Sequence, residues 1–351
     1  MNKTLKLAAV VLLSTMTVFF ADAQTVYPSA EGWETATPEE MGYSQEKLNK
    51  VKSAISSKTH ATGACIIVGG KMIFQFGYLD RLSYIASCRK SVLSMMYGKY
   101  VENGTIDLNK TVGALGLDDI QGLSMEEKEA TVNDLITARS GVYHPASNGG
   151  DSKDKPARGT YRHGEHYLYN NWDFNAAGEV FEIFTGKNIY DAFGEDIAKP
   201  LNMQDWDRER QKKTGDLSVS RFPAYHFHFS TRDMARIGYL MLRNGKWEDT
   251  QVISEDWIKK TTSVVSTYEE VQSKERFSYG YMWWLFDESA PKFQPHYKGA
   301  YTAWGAMGQY ITVIPELDMV VAFKTDSKYG RRTPSDAYFE VLDMITTSQI
   351  D

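Results

Sequence analysis

The chain has 351 residues, 42% of them hydrophobic and 24% charged, with a formal net charge of -6. That length can bury one large core or two modest ones, and the sequence reads as one folded unit with two lobes. The balance is mildly acidic and no run of Lys or Arg is long enough to grip a phosphate backbone, which argues against nucleic-acid binding.

Residues 1–23 have the form of an export signal. Lys3 and Lys6 give a positive start, Leu7 to Phe20 is an apolar run, and Ala21-Asp22-Ala23 offers small residues to a signal peptidase. The mature chain is expected to begin near Gln24 and to be periplasmic or secreted. The apolar run is short for a bilayer and nothing later is longer, so no stable membrane insertion is expected once the signal is removed. Two cysteines are present, Cys65 and Cys88. An oxidising compartment would permit a bridge, but the default reading is two small apolar side chains.

Ser44 opens a helix with Leu48, Val51 and Ile55 at helical spacing. Ala64–Val68 and Met72–Phe76 flank Gly69-Gly70 as a β-hairpin. From Ser87 to about Asn103 the pattern is that of an amphipathic helix, with Gly104 at its end. Thr131 and Asp134 cap a short helix that runs to Ala138. Ser140 to His166 is polar and reads as a long surface loop, and loops of that length are often functional. Phe174, Ala177, Phe181 and Phe184 define a helix closed by Gly186. Another runs from Ile189 to Ile197, and Ser230 with Asp233 caps Met234 to Arg243. Tyr279–Phe286, Met307–Ile314 and Met319–Phe323 read as strands, and Ser335–Ile345 as a closing helix. The expected class is therefore α/β plus all-α. Both chain ends (about 24–86 and 275–351) enter one sheet flanked by helices, with a helical lobe (about 87–274) inserted between them.

Ser87-Cys88-Arg89-Lys90 places an amine three residues after a hydroxyl, on the same helix face. A serine hydroxyl needs a neighbouring base. A free lysine amine, with a pKa of about 10.4, must be depressed by burial or nearby positive charge to serve as one. A nucleophile at a helix start also gains N–H groups for the substrate oxygen. The motif occurs four times, from Ser44, Ser87, Ser152 and Ser289. Ser44 reads as a helix cap, Ser152 lies in the charged loop and Ser289 in a turn; only Ser87 opens a long helix. Tyr169-Asn170-Asn171 supplies a phenol able to relay protons and an amide able to orient lysine and substrate.

With these motifs in view, the chain resembles the serine β-lactamase and penicillin-binding family, in its branch of class C β-lactamases, D-aminopeptidase-like enzymes and carboxylesterases. The likeness rests on Ser87–Lys90 with Glu102–Leu108, on Asn133–Gly141, on Tyr169–Asn171 with Ala177–Glu179, on Thr231–Arg236 and on Gln309–Val321. It implies a β-lactamase/transpeptidase-like fold with an antiparallel sheet. It implies an acyl-enzyme on Ser87, proton transfer by Lys90 and Tyr169, and orientation by Asn171. The oxyanion hole would come from the N–H groups of Ser87 and Ala306. No cofactor and no metal are expected.

The family's third motif, Lys or His followed by any residue and Gly, corresponds here to Ala303-Trp304-Gly305. Gly305 would let a substrate approach the strand, and Trp304 would carry an apolar group. The cation is missing, so the usual substrate carboxylate would be unpaired at that position. This favours an ester or amide without that carboxylate. In an alternative register, through His296 or Lys298, neither residue has a Gly two positions later, although either could still reach the pocket from a loop. His226-Phe227-His228 and His163-Gly164-Glu165-His166 lack zinc-hydrolase spacing. Cys88 should point about a hundred degrees away from Ser87 and pack. Tyr279, Tyr281, Trp283 and Trp284 read as core before substrate groove. The leading expectation is a carboxylesterase or amidase acting on a small ester, amide or peptide. The alternatives are a D-amino-acid peptidase or β-lactamase acting on cell-wall-related compounds, and a non-catalytic binding protein.

Overall fold

The computed structural model describes residues 25–150, 155–271 and 273–350. The expected export signal lies outside them. A seven-stranded antiparallel sheet is built from β1 (Gly63–Val68), β2 (Lys71–Gly77), β3 (Phe277–Tyr279), β4 (Trp284–Phe286), β5 (Tyr301–Gly305), β6 (Gln309–Ile314) and β7 (Met319–Lys324). Its strand order is β2-β1-β7-β6-β5-β4-β3, so the two ends of the chain meet at the β1–β7 pair. The first hairpin turns on Gly69 and Gly70, whose φ values of 56° and 85° suit a residue without a side chain.

The principal helices are α1 (Gln45–Lys58), α2 (Cys88–Glu102), α3 (Val132–Ile136), α4 (Asn171–Thr185), α5 (Thr231–Leu242) and α6 (Ser335–Thr346). Both sheet faces are covered. Ala64, Ile66 and Val68 join a core with α1 and α6, whereas Cys65 and Ile67 join the larger core that holds α2, α4 and α5. Strands buried on both faces read as continuous apolar runs, as β1, β6 and β7 do.

Three features depart from the pattern read in the sequence. The run Tyr279–Phe286 is two strands: Gly280–Trp283 turns between β3 and β4, with Met282 at φ 62° and Trp284 paired to Tyr279. A Cβ on Gly280 would lie 2.5 Å from the Thr261 carbonyl oxygen, so close packing dictates the turn where the aromatic residues conceal it. Helix α2 is buried nearly all round, Arg89 and Lys90 included, instead of showing one apolar stripe. Helix α5, in the middle of the chain, packs on β1, β6 and β7 and so covers the sheet.

Candidate active site

The short strand Ser83–Tyr84, paired with His228–Phe229, leads to the start of α2. Between them Ala86 takes a left-handed φ of 49°, a conformation that costs a non-glycine residue about 1–3 kcal/mol. It turns the chain so that Ser87 occupies the position before α2, with its side chain not used as a cap, at the rim of a cleft. The same turn is pressed against β5. A Cβ on Gly305 would stand 2.4 Å from the Ile85 carbonyl oxygen and 3.2 Å from the Ala86 Cβ. The Ser87 turn and the strand edge are therefore held in fixed relation.

One helical turn on, Lys90 is only 1% exposed, and its amine makes the contacts of the site. It donates to Ser87 Oγ at 2.9 Å, to Tyr169 Oη at 2.6 Å and to Asn171 Oδ1 at 2.8 Å. It also stands 4.3 Å from the centre of the Tyr169 ring and 4.8 Å from that of Phe174. The second motif is brought to it by the start of α4. Asn170 caps that helix by accepting from the Trp172 N–H and ties it to the preceding loop by donating to the Val142 carbonyl. Asn171 Nδ2 donates to the Gly149 carbonyl at 2.9 Å. Tyr169 turns its hydroxyl inward and lays its ring on Trp284, with centroids 5.3 Å apart. Burial pushes the phenol well above its ordinary range, against the smaller opposing effects of the Ser87 hydrogen bond and the Arg89 charge. At neutral pH the phenol keeps its proton.

The cleft encloses about 400 Å³. Ser87, Tyr169, Asn171, Trp304 and Ala306 all line it, and Lys90 lies beneath its floor. Neither the Ser87 N–H nor the Ala306 N–H donates to another backbone group among the described residues, which leaves both available to an incoming oxygen. Ala306 itself sits one residue beyond β5, in the turn to β6.

Other sequence candidates fall elsewhere. Gly305 is buried behind the cleft wall, and its missing side chain makes room for Ile85 and Ala86 rather than for a substrate. Ala303 is fully buried in the larger core. His296 lies in a short turn, Pro295–Tyr297, with Lys298 just after it, and neither lines the cleft. Cys65 and Cys88 are separate buried thiols. Burial pushes Cys65 up to about 12 and raises Cys88 further, so neither is a reactive thiolate. Ser44 caps α1, and the Ser289 hydroxyl donates to Asp287. His163 pairs with Asp134 at 2.9 Å, and His166 stacks on Tyr161. Among the described residues no cluster of three or more His, Cys, Asp or Glu side chains is arranged to hold a metal.

Sequence reasoning missed several cleft residues. The aromatic cluster splits: Trp283 and Tyr279 are core, whereas Trp284 reaches the cleft. Arg89, Tyr84 and Asn148 also line it. Arg89 carried no signal in the sequence, because its helix read as amphipathic and its burial on nearly every side belongs to the fold.

The Beta-lactamase family matches residues 52–343. The chain belongs to this family, which consists in general of hydrolytic serine enzymes, and has its β-lactamase/transpeptidase fold. An uncharacterized protein of Alkalihalophilus pseudofirmus is 20% identical over 72% of this chain and 75% of its own length. A Bacillus anthracis protein described as a 6-aminohexanoate-dimer hydrolase superposes with a TM-score of 0.66 at 17% identity, covering 92% of this chain and 88% of its own. A penicillin-binding protein homolog from Caulobacter crescentus gives 0.63 at 14% identity, covering 89% and 98%. EstCE1, a hydrolase with promiscuous acyltransferase activity, gives 0.64 at 12% identity, covering 88% and 99%.

Proposed function

We propose that the protein is a serine hydrolase that cleaves small esters or amides through an acyl-enzyme on Ser87. The observation that carries this reading is the single lysine amine within hydrogen-bond reach of the Ser87 hydroxyl, the Tyr169 phenol and the Asn171 carbonyl, at the floor of an open cleft.

With Lys90 as the neutral amine, donating to Tyr169 and Asn171 and accepting from Ser87, Ser87 Oγ bonds to the substrate carbonyl carbon while its proton passes to Lys90 Nζ. Tyr169, held neutral, is not the first base. The carbonyl oxygen gains the negative charge and accepts from the Ser87 and Ala306 N–H groups. When the carbon–heteroatom bond breaks, the departing oxygen or nitrogen takes a proton from Tyr169, which is replenished by Lys90. Water then adds to the acyl ester, gives its proton to Lys90, and Ser87 leaves with that proton restored. The products are a carboxylic acid and an alcohol or amine.

Trp284, Trp304 and Met307 make one side of the cleft apolar, and no cation projects from β5. An ester or amide with an apolar group at that side fits better than the carboxylate-bearing ring of a β-lactam. The basic, apolar and small-residue pattern of 1–23 supports an exported protein, and no helix among the described residues is long and apolar enough to cross a membrane.

The test is a fluorophosphonate probe and p-nitrophenyl butyrate, each applied beside Ser87→Ala. Labelling and turnover that vanish in the variant support the reading. Acylation by a fluorescent penicillin with little esterase activity would move it to a cell-wall-related substrate. Inertness to all three reagents would leave a binding protein.

A further inference from the structure

Beside the cleft lies a second cavity of about 510 Å³ that shares Tyr84 and Asn148 with it as a common wall. Two strand pairings build this annex. His226 stands opposite Lys212 in the pair Lys212–Thr214 with Ala224–His226, and His228 stands opposite Tyr84 in the pair that precedes Ser87. The Tyr84 ring packs on both imidazoles, at 4.8 and 5.9 Å.

Among the described residues, every charged or titratable side chain that lines this space, tyrosine aside, is basic. Lys212 forms no ion pair with a described carboxylate, whereas its neighbour Lys213 is bound to Glu182 at 2.5 Å. The Nδ1 atoms of His226 and His228 are buried without a partner. Arg89, in the adjoining cleft wall, is 2% exposed; one amino group donates to Asn175 Oδ1 at 2.6 Å, the other makes no hydrogen bond, and the guanidinium lies 4.3 Å from the Tyr225 ring centre with no described carboxylate beside it. No Asp or Glu among the described residues lines either cavity. Burial holds His226 down at about 4, and Arg89, His228, Lys212 and Lys90 all push the same way. A buried cation without a counter-charge is costly, and an arriving anion would relieve it.

We infer that the annex is an acid subsite, taking a carboxylate on the far end of the substrate's acyl group between Arg89, Lys212, His226 and His228. This rests on the reading of Ser87 as nucleophile. Tyr169, placed to protonate the leaving atom, stacks on Trp284, while Tyr84 makes its ring contacts with the two histidines. The leaving group therefore belongs to the Trp284 side and the acyl chain to the annex. The missing cation on β5 and the basic annex then describe one substrate, whose acid group lies opposite to the usual place.

The experiment compares mono-p-nitrophenyl adipate, pimelate and suberate with the ω-methyl ester of each. For the best chain length the acid is expected to exceed its methyl ester at least tenfold in kcat/KM. Lys212→Met and His226→Gln should each lower that ratio about fivefold or more, and rising salt should lower it in the wild type. In a second arm, adipate is titrated into Ser87→Ala while the imidazole resonances are followed. Its carboxylate should raise the His226 and His228 pKa values by about one unit or more. A ratio near one at every length, or one indifferent to both substitutions, overturns the subsite even if the esters are hydrolysed. Imidazole shifts with adipate but no hydrolysis by the wild type would keep the subsite and overturn the nucleophile. Imidazoles that ignore adipate overturn the subsite outright.

Discussion

Replacing Asn171 by Asp tests how the proton work is divided. Asn171 Oδ1 lies 2.8 Å from the Lys90 amine, so the variant sets a carboxylate at that distance in a buried site. An opposite charge that close raises a lysine pKa by about 1–3 units, and each unit cuts the fraction of free amine tenfold. If Lys90 takes the Ser87 proton, kcat/KM at neutral pH should fall roughly 10- to 1000-fold. The acid limb of the pH–rate profile should move alkaline by the same number of units, and activity should return in part at high pH. Asn171→Ala is the control, since it removes both the Lys90 acceptor and the link to Gly149 without adding charge. It should lose activity with no alkaline shift. The assay is hydrolysis of p-nitrophenyl butyrate from pH 6 to 10. A profile that stays in place in Asn171→Asp, or a rate equal to that of the alanine variant at every pH, would refute Lys90 as the base.

Tyr169→Phe removes the hydroxyl bonded to Lys90 at 2.6 Å and should lower kcat on an anilide by roughly 10²–10⁴-fold. The loss on a p-nitrophenyl ester should be smaller, because that leaving group departs without a proton; equal losses would argue against leaving-group protonation. Gly305→Ala drives a methyl group into the Ile85 carbonyl and should cost about 1–3 kcal/mol by urea unfolding, together with a large loss of kcat from the displaced Ser87. Full activity in that variant would show that the turn and β5 are not coupled. His226 has its folded-state pKa held at about 4 by burial and neighbouring cations. Its unfolded value is about 6.5, so its share of stability is complete above that and is lost as pH falls toward the folded value. Between pH 7 and 4.5 the wild type should lose about 2 kcal/mol more than His226→Gln; equal losses would place the imidazole in contact with solvent.

The juxtaposition of Ser87 and Lys90 was legible in the sequence because its signals are local. A Ser-x-x-Lys at a helix start has one geometry available, and Ser87 and Lys90 lie where the helical period puts them. The cap at Thr131 and the stop at Gly186 were equally readable, since each is a short-range hydrogen-bond device. What remained hidden depends on tertiary approach. Gly305 resembled a substrate-facing glycine until the Ile85 carbonyl was found against it. The turn at Gly280–Trp283 lacks polar turn residues, so a strand pattern ran through it. The annex joins Tyr84 and Asn148 to Lys212, His226 and His228, residues far apart in sequence that no spacing rule connects. Trp283 ends the turn and is buried in the core, whereas Trp284 opens β4 and reaches the cleft, and only the fold separates them.

The most direct measurement traps the acyl-enzyme. The protein is mixed with an excess of p-nitrophenyl butyrate, quenched in acid within the first turnovers, digested and mapped by mass. The account predicts a butyryl group on the peptide that contains Ser87, absent from Ser87→Ala and accumulating in a variant slowed in deacylation. Ester turnover with no adduct on that peptide, or the same adduct on another residue when Ser87 is replaced, would contradict it.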